Sequence, residues 1–210
     1  MTLRLYSTLS RTIEEFRPAG DEVRVYVCGV TPYDTAHLGH AFLYVSFDVL
    51  HRFLRYQGHR VRYVQNITDI DNDILRKAKE VDENWFELGN RYVKIHQDAL
   101  DMLGVEHPVK YPRATEEIPL MVEIIESLVQ KGHAYPVNGS VYFRVKSDPS
   151  YGCLSRLSPD EMAPILTETG DPADDPRKEA PVDFLPWQAA KPGEPTWPSP
   201  WGPGRPGWHI

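Results

Sequence analysis

The hydrophobic period of this chain changes from two to about 3.6 and back between Val23 and Gln65, and that change restricts the fold more than any other feature. Val23, Val25 and Val27 alternate with Arg24 and Tyr26 until Cys28-Gly29, which is the pattern of a strand. From Gly39 to Tyr56 come two helical stripes, Phe42, Val45, Val49, Phe53 and Leu43, Phe47, Leu50, Leu54. They predict a helix buried over much of its girth and stopped by Gly58. Val61 to Val64 predict a second strand ending at Gln65-Asn66. Strand, helix and strand in this order imply an α/β fold with a parallel sheet and a right-handed crossover. Ligands of such sheets sit at the carboxyl ends of the strands, where Cys28-Gly29 and Asn66-Ile67-Thr68 fall.

Further along, Thr68 with Asp71 fits a capping box in front of a helix face formed by Ile70, Ile74, Ala78 and Val81. Asp69, Asp71, Asp73 and Glu80 mimic a calcium loop. Ile74 stands where that loop needs glycine, so the acids are expected to complement a helix dipole instead. Helical periodicity also covers Trp85 to Leu103 and Ile118 to Val129. Asn138-Gly139 between Ala134–Val137 and Ser140–Val145 predicts a two-residue hairpin turn. Of 19 prolines, 12 lie between Pro159 and Pro206, so this tract is expected to run as turns and extended loop. Four of five tryptophans lie between Trp187 and Trp208, which argues that this end of the chain packs rather than remaining disordered. The acidic stretch Glu168 to Asp183 is expected to be a solvated loop, and the ending Gly207-Trp208-His209-Ile210 reads as interrupted.

Composition narrows the classes of function. With 23 basic and 30 acidic residues the net charge is −7, so no global basic field draws in nucleic acid. Apolar runs fall short of a bilayer span, the N-terminus has no signal-like core, and Cys28 and Cys153 make no disulfide framework. A soluble, cytoplasmic setting without membrane contact is expected.

The candidate chemistry centres on His37-Leu38-Gly39-His40, directly after the first strand and opening the helix. A helix N-terminus favours phosphate through its free N–H groups and dipole, and imidazoles three apart share its first turn. Gly39 leaves room for a flat base against the backbone. The motif suits ATP, with His37 and His40 stabilising charge as the α-phosphate is attacked. The blander possibility is two satisfied histidines at a cap. Likewise Cys28 is by default a small buried hydrophobe and Thr68 an N-cap.

Tyr26-Val27-Cys28-Gly29-Val30-Thr31-Pro32-Tyr33-Asp34 followed by His37-Leu38-Gly39-His40 resembles the signature of the cysteine-activating class I synthetases. These are cysteinyl-tRNA synthetase and the related mycothiol-pathway cysteine ligase. The likeness continues at Tyr63–Asp71, Pro112-Arg113-Ala114-Thr115, Ala189–Pro195 and Gly204–Ile210. It implies the first half of a Rossmann-like nucleotide-binding fold in residues 1–104, a helix-plus-hairpin connective insertion in 105–180 and a return segment in 181–210. It implies activation of L-cysteine with ATP and Mg2+ to cysteinyl-adenylate, for transfer to tRNA(Cys) or, in the alternative ligase, to glucosaminyl-inositol. His37, Leu38, Gly39 and His40 would bind ATP. Gly29, Thr31, Asn66, Thr68 and Trp208 would line the cysteine and adenylate site. In the family Cys28 is a Zn2+ ligand, and the zinc reads the substrate thiol. Its other ligands, the Lys-rich phosphate loop and the anticodon-reading domain match no residues here, so the chain alone is expected not to aminoacylate tRNA. Leu43 replaces a threonine usual in the family, which keeps open a catalytically incomplete nucleotide- or cysteine-binding paralogue. Tyr151-Gly152-Cys153-Leu154-Ser155 and Asp183-Phe184 resemble the tRNA enzyme. Thr31–Asp34, His51-Arg52 and Gly170-Asp171-Pro172 resemble the mycothiol ligase.

Overall fold

The computed structural model describes residues 2–168 and 172–210, so Gly170-Asp171 of the motif just named lie outside the described residues. Two compact units emerge: residues 17–117, and residues 1–16 with 118–210.

In order along the chain, β1 (Arg4–Ser7) and β2 (Thr12–Glu15) form a hairpin. They precede β3 (Glu22–Val30), α1 (Leu38–Tyr56) and β4 (Arg60–Ile67). β3 and β4 are parallel, from Glu22 opposite Arg60 to Val30 opposite Ile67, with α1 as the crossover. α1 ends as expected, with Gly58 at a φ of 87° just past the cap residue Gln57. α2 (Asn72–Glu80) and α3 (Trp85–Met102) lead to residues 109–113, which run beside β4 in parallel and accept from the N–H groups of Gln65 and Ile67. Val27, Tyr44, Tyr63, Leu100 and Val105 form one core cluster of this unit, and Ile74, Ala78 and Leu88 another.

Two expectations are corrected here. α1 buries Tyr44, Asp48, His51 and Leu54, while Phe42 and Val49 are 78 % and 61 % exposed, so only one of its stripes faces the sheet. Sequence reading credited both stripes because each is apolar, whereas the sheet takes the face that carries Tyr44. The cap of α2 is Asp71 rather than Thr68, its carboxylate accepting from the N–H groups of Asp73 and Ile74. Thr68 is one step earlier, with its N–H spent on the Val30 carbonyl.

The carboxyl ends of β3 and β4 are stitched by one side chain. Asn66 Oδ1 accepts from the Gly29 N–H at 2.7 Å and the Tyr26 hydroxyl at 3.0 Å, and Nδ2 donates to Thr68 Oγ1 at 3.1 Å. Gly29 is required here by close approach: a Cβ would overlap the Asn66 carbonyl oxygen. Behind this junction buried Asp69 accepts from both the N–H and hydroxyl of Thr115.

In the other unit α4 (Ile118–Gln130) packs on the hairpin β5 (Ala134–Val137) and β6 (Ser140–Phe143), turned by Asn138 and Gly139 at φ 51° and 81°. The proline-rich tract is more regular than expected. It contains α5 (Pro159–Glu168), β7 (Phe184–Ala189) and β8 (Gly204–Pro206), completing an antiparallel sheet in the order β5-β6-β7-β8. Pro159 occupies the first helical position, where its missing N–H costs nothing, and Ser158 with Glu161 forms a capping box. Pro186 is tolerated inside β7 because two residues there, Leu185 and Pro186, stand opposite the single Tyr142 of β6, an irregular stretch of the ladder. Glu194 and Arg205, from two separate motif segments, pair at 2.8 Å, with Arg205 buried.

The described part of the acidic stretch is a loop as expected, but three of its acids are held by partners rather than left to solvent. Asp175 accepts from Arg177 and the Tyr142 hydroxyl, which hold its carboxyl below the usual range, and Glu179 pairs with Arg144. Asp183 is fully buried and accepts from the Tyr135 hydroxyl and the N–H groups of Val145 and Ala180.

Asp183→Ala therefore leaves three buried donors unmet and is expected to lower unfolding free energy by about 3 kcal/mol in urea titration. A loss under about 1 kcal/mol contradicts this role. Gly29→Ala forces the strand ends apart and should cost about 3 kcal/mol by the same measurement, with Asn66→Ala milder at about 1–2 kcal/mol.

Candidate active site

The loop after β3 delivers the chain to the start of α1, and the two histidines build that start. His37 is the N-cap, its Nδ1 accepting from the Gly39 N–H at 3.0 Å, while His40 Nδ1 faces the His37 N–H at 3.3 Å. The two side chains close a capping box in the manner of Ser and Glu. The plain capping role is thus real, and it also prepares chemistry. A neutral ring whose Nδ1 accepts must carry its proton on Nε2, so each imidazole keeps a donor free of the cap.

The rings lie 4.0 Å apart between centroids, and no acidic residue occupies the first turn of α1. Two ring donors and the positive helix end lie there with no acidic residue in the first turn, a setting that attracts a polyanion. Gly39 permits it locally, since a Cβ would crowd the His37 ring at 2.8 Å. His37, Leu38 and Gly39 are exposed and His40 is half-buried; Leu38 is 88 % exposed. Burial, then the neighbouring His37, lowers the His40 pKa, favouring the neutral donor form.

From His40 a continuous set of contacts reaches the strand ends. His96 of α3 lies 6.4 Å from His40 and 5.1 Å from Tyr44, ring to ring, and the Tyr44 hydroxyl donates to the Cys28 carbonyl at 3.4 Å. Next to Cys28, Gly29 meets Asn66, and Asn66 meets Thr68. His37, His40, Cys28, Gly29, Asn66 and Thr68 thus belong to one neighbourhood of one unit. Thr31 follows β3, half-buried, its carbonyl accepting from the Tyr33 N–H at 3.1 Å. Trp208 belongs to the other unit and is 61 % exposed. Cys28 is exposed, which removes its default role as a buried hydrophobe, and Cys153 is exposed as well. Leu43 packs, half-buried, against the core around Val27 and Tyr44, so its place is a packing position.

Cys28 belongs to no cluster of three or more metal-ligating groups among the described residues. One thiol cannot hold zinc tightly, and the residues present do not make a zinc site. The cluster that exists is Asp48, His51 and Glu106, whose donor atoms lie within 4.8 Å of one another. Arg52 binds Asp48 at 2.7 Å and Glu106 at 3.2 Å, and Arg55 binds Glu106 as well. Asp48 also accepts from the Glu106 N–H, so these charges clamp α1 to the loop after α3.

Sequence reasoning missed Tyr44 and His96. The signal for His96 was present, because it follows Val93 at three residues and precedes Leu100 at four, on the buried face of α3. Asp71, Asp73 and Glu80 are taken up by the α2 cap and by ion pairs with Arg76 rather than by a calcium loop.

The family model described as tRNA synthetases class I (C) catalytic domain matches residues 15–210. The L-cysteine:1D-myo-inositol 2-amino-2-deoxy-alpha-D-glucopyranoside ligase of Thermomonospora curvata is 44 % identical over all of this chain and half of its own length. The cysteine–tRNA ligases of Dehalococcoides mccartyi (strain BAV1) and Cronobacter sakazakii are each 47 % identical over 99 % of this chain and 45 % of theirs. The chain therefore spans about half the length of the curated relatives it matches. Among solved structures, methionyl-tRNA synthetase of Mycobacterium tuberculosis bound to methionyl-adenylate superposes with a TM-score of 0.53, at 20 % identity, over 60 % of this chain and 25 % of that one. No helix of the described residues is long and apolar enough to cross a membrane. A match over nearly the whole chain, on a fold whose strand ends and helix start carry the expected residues, has one meaning: the chain belongs to the class I (C) tRNA synthetase catalytic-domain family.

Proposed function

We propose that this chain provides the ATP- and cysteine-binding half of an enzyme that forms cysteinyl-adenylate and passes the cysteinyl group to tRNA(Cys). The observation that carries the reading is the paired His37 and His40 cap, which leaves two Nε2 donors at a helix N-terminus joined through His96 and Tyr44 to Cys28. In the reaction a carboxylate oxygen of cysteine bonds to the α-phosphorus of ATP while the bond to the pyrophosphate oxygen breaks. Orientation and charge stabilisation dominate such a transfer, and the two ring N–H groups supply donors where phosphoryl charge develops. Mg2+ accompanies the ATP as counter-charge.

Around this centre the roles divide. Gly29 and Asn66 shape the junction, and Thr31 and Thr68 offer hydroxyls beside it. Cys28 would offer one soft sulfur ligand to a Zn2+ whose other ligands are not among the described residues, and such an ion would distinguish a thiol from a hydroxyl. Residues 1–104 act as the first half of the nucleotide fold, 105–180 as a connective insertion and 181–210 as the return segment. Identities of 47 % to cysteine–tRNA ligases favour tRNA as acceptor, and the 44 % identity to the inositol-sugar ligase over the whole chain supports the alternative acceptor.

The test is cysteine-dependent ATP–pyrophosphate exchange, by the chain alone and by the chain joined to the C-terminal half of a 47 % identical relative. The chain alone should show none and the joined protein should exchange. A folded joined protein without exchange favours a binding paralogue. His37→Ala or His40→Ala in the joined protein should lower exchange by about 100-fold or more with the fold retained. Normal exchange by the double variant removes the site from these residues. Supplying tRNA and glucosaminyl-inositol in parallel then identifies the acceptor.

A further inference from the structure

The peptide group between Cys28 and Gly29 is held at both ends by side chains, one from β4 and one from α1. Its N–H donates to Asn66 Oδ1 at 2.7 Å, and its carbonyl accepts from the Tyr44 hydroxyl at 3.4 Å. This peptide lies in a bulge. Val27 faces Gln65 and Val30 faces Ile67, so Cys28 and Gly29 together stand opposite the single Asn66. The extra residue reverses the alternation of the strand. Val23 and Val27 are buried at odd positions and Val30 at an even one, while Cys28 is exposed. A regular strand gives Cys28 and Val30 the same face; here one turns outward and the other enters the core. A bulge disrupts the ladder locally, so whatever holds its peptide plane governs where the Cys28 side chain stands.

Tyr44 reaches this peptide from the core. It is 1 % exposed, it packs with Val27 and Tyr63, and it follows His40 by four residues on α1. Phenylalanine fills such a site without a buried hydroxyl to satisfy, so packing alone does not ask for tyrosine. Burial, then the neighbouring Cys28 and Tyr63, pushes the Tyr44 pKa up to about 12, so near neutral pH the hydroxyl keeps the proton it donates.

We propose that Tyr44 is a positioning residue for Cys28: its hydroxyl pins the bulged peptide to the helix capped by His37 and His40, and so fixes the sulfur's place relative to the two imidazoles. The proposal rests on the reading of the histidines as phosphate ligands and of Cys28 as facing the cysteine side chain. Asn66 alone ties the peptide to β4 and leaves it free to rock about one bond. The second tie, from α1, makes the strand end and the helix start move together. At 3.4 Å the contact is long for a hydroxyl, so its loss is expected to loosen the bulge without unfolding the unit.

The test compares the wild-type chain with Tyr44→Phe, which deletes only the hydroxyl, and with Val105→Ala, which opens a cavity in the same core cluster without removing a hydrogen bond. Amide hydrogen exchange is followed by NMR. In Y44F the Gly29 amide is expected to exchange about fivefold faster or more, relative to the amides of α1 around Leu54. V105A should speed exchange across the unit and keep that ratio within about twofold of wild type. An unchanged ratio in folded Y44F overturns the proposal, and so does an equal change in V105A. If Y44F does not fold, Tyr44→Leu replaces it with the same expectations. Calorimetry with two ligands separates this proposal from the reading beneath it. Y44F should bind a non-hydrolysable cysteinyl-adenylate analogue about fivefold more weakly and ATP within about twofold of wild type, because only the first spans Cys28 and the histidine pair. Equal losses for both ligands overturn the positioning role. If the wild-type chain binds neither ligand, the reading of the site fails, and the Gly29 exchange still decides whether Tyr44 holds the Cys28 peptide.

Discussion

The hydrogen bonds of one amide, Asn66, set the geometry on which the candidate site depends. Two parallel strands can end at many relative heights, and here the Gly29 N–H, the Tyr26 hydroxyl and the Thr68 hydroxyl all meet the Asn66 side chain. The absent side chain of Gly29 lets the backbones close to contact. That closure fixes Cys28 on one strand and Thr68 on the other, and it decides where the loop to α1 departs. A second bond set, Asp69 to Thr115, holds the next segment of the sheet in step. Motif residues far apart in the chain are thus partners, and Glu194 with Arg205 repeats the arrangement in the other unit.

At the helix start, structural and chemical roles coincide in the same atoms. A serine–glutamate capping box would satisfy the N–H groups equally well but would set oxygen acceptors and a negative charge at the helix mouth. Two histidines satisfy them through Nδ1 and leave the ring proton on Nε2. Neutrality matters to this arrangement, because protonating Nδ1 breaks the cap. Burial that lowers the His40 pKa therefore supports both the helix end and its capacity to donate.

Much of this was legible in sequence, for identifiable reasons. Period changes mark β3, α1 and β4 because a strand and a helix bury residues at different spacings, and Asn138-Gly139 marks its turn because both positions need positive φ. Other features were hidden. Apolar periodicity reports a hydrophobic face but not which of two such faces the sheet takes, so the exposure of Phe42 and Val49 was missed. Thr68 and Asp71 are both competent caps, and the choice shows only in three dimensions, where the Asp71 carboxylate accepts from Asp73 and Ile74 while the Thr68 N–H donates to the Val30 carbonyl. Proline content suggested loop across residues 159–206, yet prolines at a helix start and within an irregular strand segment cost little. Asp175 and Asp183 looked solvated because their partners, Arg177, Tyr142, Tyr135 and Val145, gather around them only in three dimensions.

The strand-end junction and the histidine cap together should form a single binding surface for an aminoacyl-adenylate. The most direct measurement is NMR titration of the labelled chain with a non-hydrolysable cysteinyl-adenylate analogue. The largest shift changes should fall on residues 28–31, 37–40 and 66–68 together, with a common binding curve. Changes confined to only one of these segments, or centred on the α4–β5–β6 region, would contradict a shared site.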